Sequence, residues 1–112
     1  MSQIIYKILD AAEWAESELR GLYHGSEVDR RDKYIHFSTA AQVHETARRH
    51  FAGRRNLVLV AVNADALDEL RWEPSRDGEL FPHLYGPLPV MAARWAKRIG
   101  WDGERHLLPE LD

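Results

Sequence analysis

The chain has no cysteine. Disulfide stapling and thiol chemistry are excluded, and the composition suits a reducing compartment, so a cytoplasmic location is expected. Long apolar runs are also missing. No segment approaches the roughly 18 consecutive apolar residues of a membrane span, and the opening M-S-Q-I-I-Y-K lacks the core of a signal peptide. Neither a leader nor a membrane partner is expected. There is no excess of basic charge: 15 Lys and Arg stand against 18 Asp and Glu, a net charge of −3. That balance argues against a dedicated nucleic-acid binder. The glycine-rich phosphate loop, the dinucleotide fingerprint and the G-x-S-x-G elbow are absent, as are repeats and low-complexity tracts.

What remains is a chain of 112 residues, 45 % apolar and 29 % charged, the make-up of one globular domain. A chain of this length buries roughly two thirds of its unfolded surface, enough for one ordinary core. The run Ile4-Ile5-Tyr6-Lys7-Ile8-Leu9 reads as a first strand. Asp10 caps a helix that stops near Gly21, with Glu13 placed to reach back. Residues 21–33 are polar and broken by Gly21 and Gly25, and they read as a long loop of functional type. Residues 34–38 read as a strand with Tyr34, His36 and Ser38 on one face. Thr39 opens a second helix, with Gln42 as its capping partner and Ala40, Val43, Ala47 and Phe51 as its buried stripe.

Residues 57–62 are apolar throughout and read as a central strand covered on both faces. Residues 70–73 and 80–85 flank Asp77-Gly78 as a hairpin. Residues 91–99 read as a strand because Pro87 and Pro89 precede them. The expected architecture is α+β, with a mixed sheet of about six strands and two or three helices.

Among six histidines, no pair has the spacing of metal ligands on a helix: after His44-Glu45 the position four residues on is Arg48. No metal is expected. His36 and His83 carry more promise. Each lies in a predicted strand two residues from a tyrosine on the same face, Tyr34 and Tyr85. Should both strands face one cleft, two imidazoles, two phenols and the Ser38 hydroxyl converge, and imidazole titrates near neutrality. The segment F-P-H-L-Y-G-P-L-P at 81–89 reads as a strand ending in a sharp turn at Gly86-Pro87, and Pro82 marks it as an edge strand or a bulge.

Tyr23-His24-Gly25-Ser26 is a second candidate. Gly25 allows close approach of a ligand, Ser26 offers a hydroxyl and an amide, and Asp29 and Asp32 can orient a cation or a sugar hydroxyl. Glu73, at a strand end, can serve as acid, base or ribose clamp. The run Arg48-Arg49-His50, with Arg54-Arg55, lies at a helix C-terminus, where the helix dipole favours positive charge. That role outweighs a phosphate patch.

I-Y-K-I, G-S-x-x-D, Y-I-H-F-S-T, L-V-L-V-A-V, R-W-E-P and F-P-H-L-Y-G-P-L-P occur here in order. This set, over about residues 4–99, resembles a small bacterial and plant family, the domain of unknown function numbered nine hundred and fifty-two. That family is similar, more distantly, to the ADP-ribosyltransferase superfamily, which splits NAD in a cleft of a mixed sheet. The resemblance implies an ADP-ribosyltransferase-like fold and NAD as a substrate rather than a fixed cofactor. It places residues 34–38 and Thr39 under the nicotinamide, with Tyr23-His24-Gly25-Ser26 echoing a His-Gly-Ser/Thr motif. The superfamily's catalytic glutamate strand maps onto residues 81–85, where this chain has His83.

Three readings follow. The first is an enzyme or degenerate enzyme of ADP-ribosyl transfer, with His36, His83 and Tyr85 catalytic. Its ligand would be held by Tyr34, Ser38, Thr39, Ser26, Asp29, Glu73 and Gly86. The second is a binding module for a small anionic metabolite. The third is a structural domain whose histidines hold a loop. The partner expected in the first two is a small molecule, and the oligomeric state is left open.

Overall fold

A computed structural model describes residues 3–112. Strand β1 (Ile4–Asp10) leads into helix α1 (Ala11–Arg20), whose start Asp10 caps by accepting the Ala12 N–H at 2.8 Å. Gly21, at φ 89°, closes the helix in the left-handed conformation open to glycine. Strands β2 (Leu22–Tyr23), β3 (Ile35–His36), β4 (Leu57–Asn63), β5 (Leu70–Pro74), β6 (Leu80–Leu84), β7 (Leu88–Pro89), β8 (Ala93–Trp101) and β9 (His106–Leu107) follow, with helices α2 (Glu27–Asp32) and α3 (Val43–His50) among them.

One sheet has the order β1-β4-β8-β9, a second β3-β6-β5, and β2 pairs with β7. A bridge between Tyr6 and Ser38 links the first two sheets into one curled surface. The α+β class stands, but every strand pair among the described residues is antiparallel, so the sheet is not mixed. The expected strand at 91–99 is β8, entered through a 3-10 turn at Val90–Ala92.

Strand β4 lies between β1 and β8, as its unbroken apolar run requires. Alternate residues of β1 and β4 feed two cores. Ile5, Leu9, Val58, Val60 and Val62 pack with Trp14 of α1, while Tyr6, Ile8, Leu57, Leu59 and Ala61 pack with Val43 and Ala47 of α3. Lys7 is the exception in β1: it is buried on the face of Ile5 and Leu9. No described helix is long and apolar enough to cross a membrane.

Three expectations need correction. Residues 21–33 are not one long loop, because Ser26 and Asp29 form a reciprocal capping box that starts α2. The second helix begins at Val43 rather than Thr39, although Gln42 does reach back to the Thr39 N–H at 3.0 Å. Finally, β6 is the centre of its sheet, not an edge, despite Pro82. The Pro82 carbonyl accepts the Phe37 N–H at 3.0 Å, but proline has no N–H to return. The β3–β6 ladder accordingly stops at His36, and the sheet tolerates the proline where a ladder ends.

Candidate functional site

Register decides which side chains meet. His36 of β3 stands directly opposite His83 of β6, and Arg71 of β5 opposes His83 from the other side. Opposed residues of antiparallel strands share a face. The two imidazole centres are therefore 5.6 Å apart, well inside the roughly 10 Å expected of two paired strands. Glu73 opposes Phe81, which sets it diagonal to His83 on the same face.

Each histidine has a carboxylate at Nδ1. His83 Nδ1 lies 2.8 Å from Glu73 Oε1, and the Tyr85 hydroxyl donates to the same oxygen at 2.8 Å. An ionised carboxylate only accepts, so Nδ1 carries the proton and Nε2 is left for a ligand. The Glu73 carboxyl is held below its usual range, first by the His83 hydrogen bond and then by that from Tyr85. The same bond raises the Tyr85 phenol. Arg71 lies over the Tyr85 ring at 4.8 Å.

His36 Nδ1 lies 2.6 Å from Asp29 Oδ1, and its Nε2 lies 3.1 Å from Asp32 Oδ2. Asp29 is 2 % exposed and acts as a hub. It also accepts the His36 N–H at 3.1 Å, the Ser26 N–H at 2.9 Å and the Lys7 ammonium at 2.9 Å. Burial opposes ionisation of Asp29, but the His36 hydrogen bond, the Lys7 charge and the Ser26 amide outweigh it, and its pKa falls below the ordinary range. For Lys7, burial is the largest influence and lowers the pKa, with Asp29 pulling the other way. We take the pair as ionised, since four donors converge on one carboxylate.

Tyr34 packs among the polar side chains. Its ring stacks on His83 at 4.1 Å and lies 4.6 Å from His36 and 5.3 Å from Tyr85. His36 and His83 line a cleft of about 880 Å³, together with Lys7, Ser26, Asp29 and Ser38. Tyr34, His24 and Gly86 border a second hollow of about 200 Å³.

The structure thus brings together His36, His83, Tyr34, Tyr85, Glu73 and Asp29, and leaves others apart. Ser38 lines the cleft, but its hydroxyl is engaged away from the histidines, 2.8 Å from Thr46 Oγ1. Thr39 lines neither hollow and gives its N–H to Gln42. Tyr23 belongs to the core beside Trp14. The close approach at Gly25 is made by Asp29: a Cβ there would lie 2.7 Å from the Asp29 Cβ. Glu73 and Tyr85 line neither hollow and stand behind His83. Asp29, buried against Lys7 and His36, is a support for His36 more than a surface for a sugar or cation. Lys7 escaped sequence reasoning, although a lysine on the buried face of an apolar strand is itself a signal of a buried carboxylate partner.

The model of the DUF952 family, described as a protein of unknown function, matches residues 8–96. The chain belongs to that family. The crystal structure of protein CC0527 from Caulobacter crescentus is 45 % identical, with a TM-score of 0.88, and the match covers 91 % of this chain and 90 % of that one. Its solution NMR structure is 46 % identical with a TM-score of 0.80, over 89 % and 87 % of the two chains. Among curated proteins, none matches this chain. A DUF952 fold therefore carries the paired histidines, and no similarity to ADP-ribosyltransferases emerges from these comparisons.

Proposed function

We propose that this DUF952 protein binds an NAD-like nucleotide or an ADP-ribosyl group in the cleft shared by His36 and His83. One observation carries the reading. Two imidazoles stand edge to face across a strand pair, each fixed by a carboxylate at Nδ1, at the wall of a cleft of about 880 Å³. A volume of that size suits a nucleotide-sized ligand. With its Nδ1–H tied to Glu73, the neutral His83 ring presents Nε2 as an acceptor for a ribose hydroxyl. His36 is half-buried, and its Nε2 contact with the half-buried Asp32 is one a ligand can replace. Tyr85 acts through Glu73, as a positioning residue.

Calorimetry with NAD and ADP-ribose tests the reading. A hydrogen bond to a charged ligand group contributes about 1.5–3 kcal/mol, so His83→Ala should weaken binding about ten- to a hundred-fold. The variant's unfolding midpoint must show that it remains folded. Absence of heat from either nucleotide at millimolar concentration, with folded wild type, rejects nucleotide binding.

A second reading, a binding module without catalysis, is favoured by the hub at Asp29. Its partners are Lys7, Ser26 and His36, so the carboxylate is engaged in holding the wall. Binding of NAD without release of nicotinamide selects this reading, and nicotinamide release selects ADP-ribosyl transfer or NAD hydrolysis.

A further inference from the structure

The cleft is asymmetric in charge. From β1, α1 and α2 it is lined by five acids, Asp10, Glu13, Glu27, Asp29 and Asp32, against three cations, Lys7, Arg30 and Arg31, of which Lys7 is paired with Asp29 and Arg31 with Asp32. The wall formed by the end of α3 and the β5–β6 turn presents His50, Arg54 and Arg76 instead. The arginines at this end differ in what they do. Arg48 and Arg49 are both engaged by Glu45, and Arg49 also approaches Asp77. Neither Arg54 nor Arg76 is in any ion pair among the described residues.

Each of these two guanidiniums is laid against an aromatic ring, Arg54 over Phe51 at 5.1 Å and Arg76 over Phe81 at 4.8 Å. A cation–π contact holds the group without using its N–H donors. The main chain of Arg54 is also held: its N–H donates to the Phe51 carbonyl at 2.9 Å, and the His106 ring lies 2.8 Å from its own carbonyl. Arg76 sits in the 3-10 turn that closes the β5–β6 hairpin. His50 lies within the field of Arg76. Its pKa is lowered by burial first, then by Arg76, Arg49 and His36.

We propose that Arg54, Arg76 and His50 form a phosphate subsite of the cleft, which receives the phosphate or pyrophosphate of a ligand whose other end reaches His36 and His83. This deepens the function proposed above and rests on the same cleft. Two planar guanidiniums without carboxylate partners match the oxygens of a phosphoryl group, which accepts paired N–H donors from arginine. A dianion would also offset the positive charge of the two guanidiniums, and His50 would add a ring N–H beside them.

The test uses inorganic pyrophosphate and ADP-ribose as probes of the full chain. The variants are Arg54→Ala with Arg76→Ala, the corresponding double lysine, and His83→Ala. Neither arginine is buried, so an unchanged thermal midpoint is expected of the double alanine and is checked first. Wild type should bind pyrophosphate and shift the His50 ring resonances in NMR. The double alanine should lose at least about tenfold in affinity, as expected when charge-assisted contacts are removed. The double lysine should keep part of it, and His83→Ala should change pyrophosphate affinity less than about twofold.

Equal pyrophosphate affinity in wild type and double alanine overturns the subsite. So does binding that leaves the His50 resonances unmoved, or no binding to wild type. ADP-ribose that binds wild type and double alanine alike also overturns the subsite while leaving the nucleotide reading in place. Pyrophosphate binding that depends on the arginines, with ADP-ribose binding unaffected by His83→Ala, supports the subsite and rejects the ligand contact at His83.

Discussion

Asp29→Asn is the most informative single change. Asp29 is 2 % exposed, Lys7 is 7 % exposed, and the ammonium lies 2.9 Å from the carboxylate. Asp29→Asn keeps the size of the side chain and removes its charge, so Lys7 is left buried without its counter-ion. Breaking a buried pair from one side costs about 3–5 kcal/mol, because the surviving charge loses its compensation. Domains typically have about 5–15 kcal/mol of stability to lose. At about 4 °C per kcal/mol for a chain of this size, the midpoint should fall by roughly 12–20 °C.

Urea denaturation gives the free energy and a thermal scan the midpoint. Lys7→Met and the double variant complete a cycle, and the double should cost less than the sum of the singles by at least about 1 kcal/mol. The acid limb offers an independent check. The folded-state pKa of Asp29 is depressed, so its contribution is complete above the unfolded value near 4 and is lost as pH falls through the lower folded value. Wild type should lose stability on acidification below about pH 4, and Asp29→Asn should lose correspondingly less. A cost under about 1 kcal/mol for Asp29→Asn, or strict additivity with Lys7→Met, would refute the hub.

Two further outcomes follow from the geometry. Gly25→Ala should destabilise by more than about 1 kcal/mol, since φ is +100° and the added Cβ meets Asp29 at 2.7 Å; the His36 amide resonance in NMR should shift with it, and an unchanged urea midpoint would contradict the packing. Leu59→Ala, at a fully buried position of β4, should cost about 2–5 kcal/mol in the same denaturation assay, and a loss below about 1 kcal/mol would mean that this core collapses around the gap.

Local physics wrote much of this fold into the chain. Asp10 and Gly21 bracket α1 through a cap and a left-handed stop, and Asp77-Gly78 turns the β5–β6 hairpin with positive φ at both residues. The continuous apolar run of β4 required cover on both faces, which α1 and α3 supply. Period-two alternation also placed each histidine beside its tyrosine on one strand face. The family was legible for a different reason, the order of whole motifs along the chain.

The antiparallel order of the sheet, the central position of β6 and the direct opposition of His36 and His83 depend on strand register, which distant parts of the chain decide together. The link from Lys7 to Asp29 spans 22 positions, so no window of sequence contains it. The short helix over Glu27–Asp32 was written locally, in Ser26 and Asp29, but its glycine-flanked polar composition read as loop. Which arginines stay free of carboxylates was likewise settled by folding, because Glu45 reaches Arg48 and Arg49 one turn away along α3. Arg54 and Arg76, 22 positions apart by their numbering, come to line one cleft only when the chain folds.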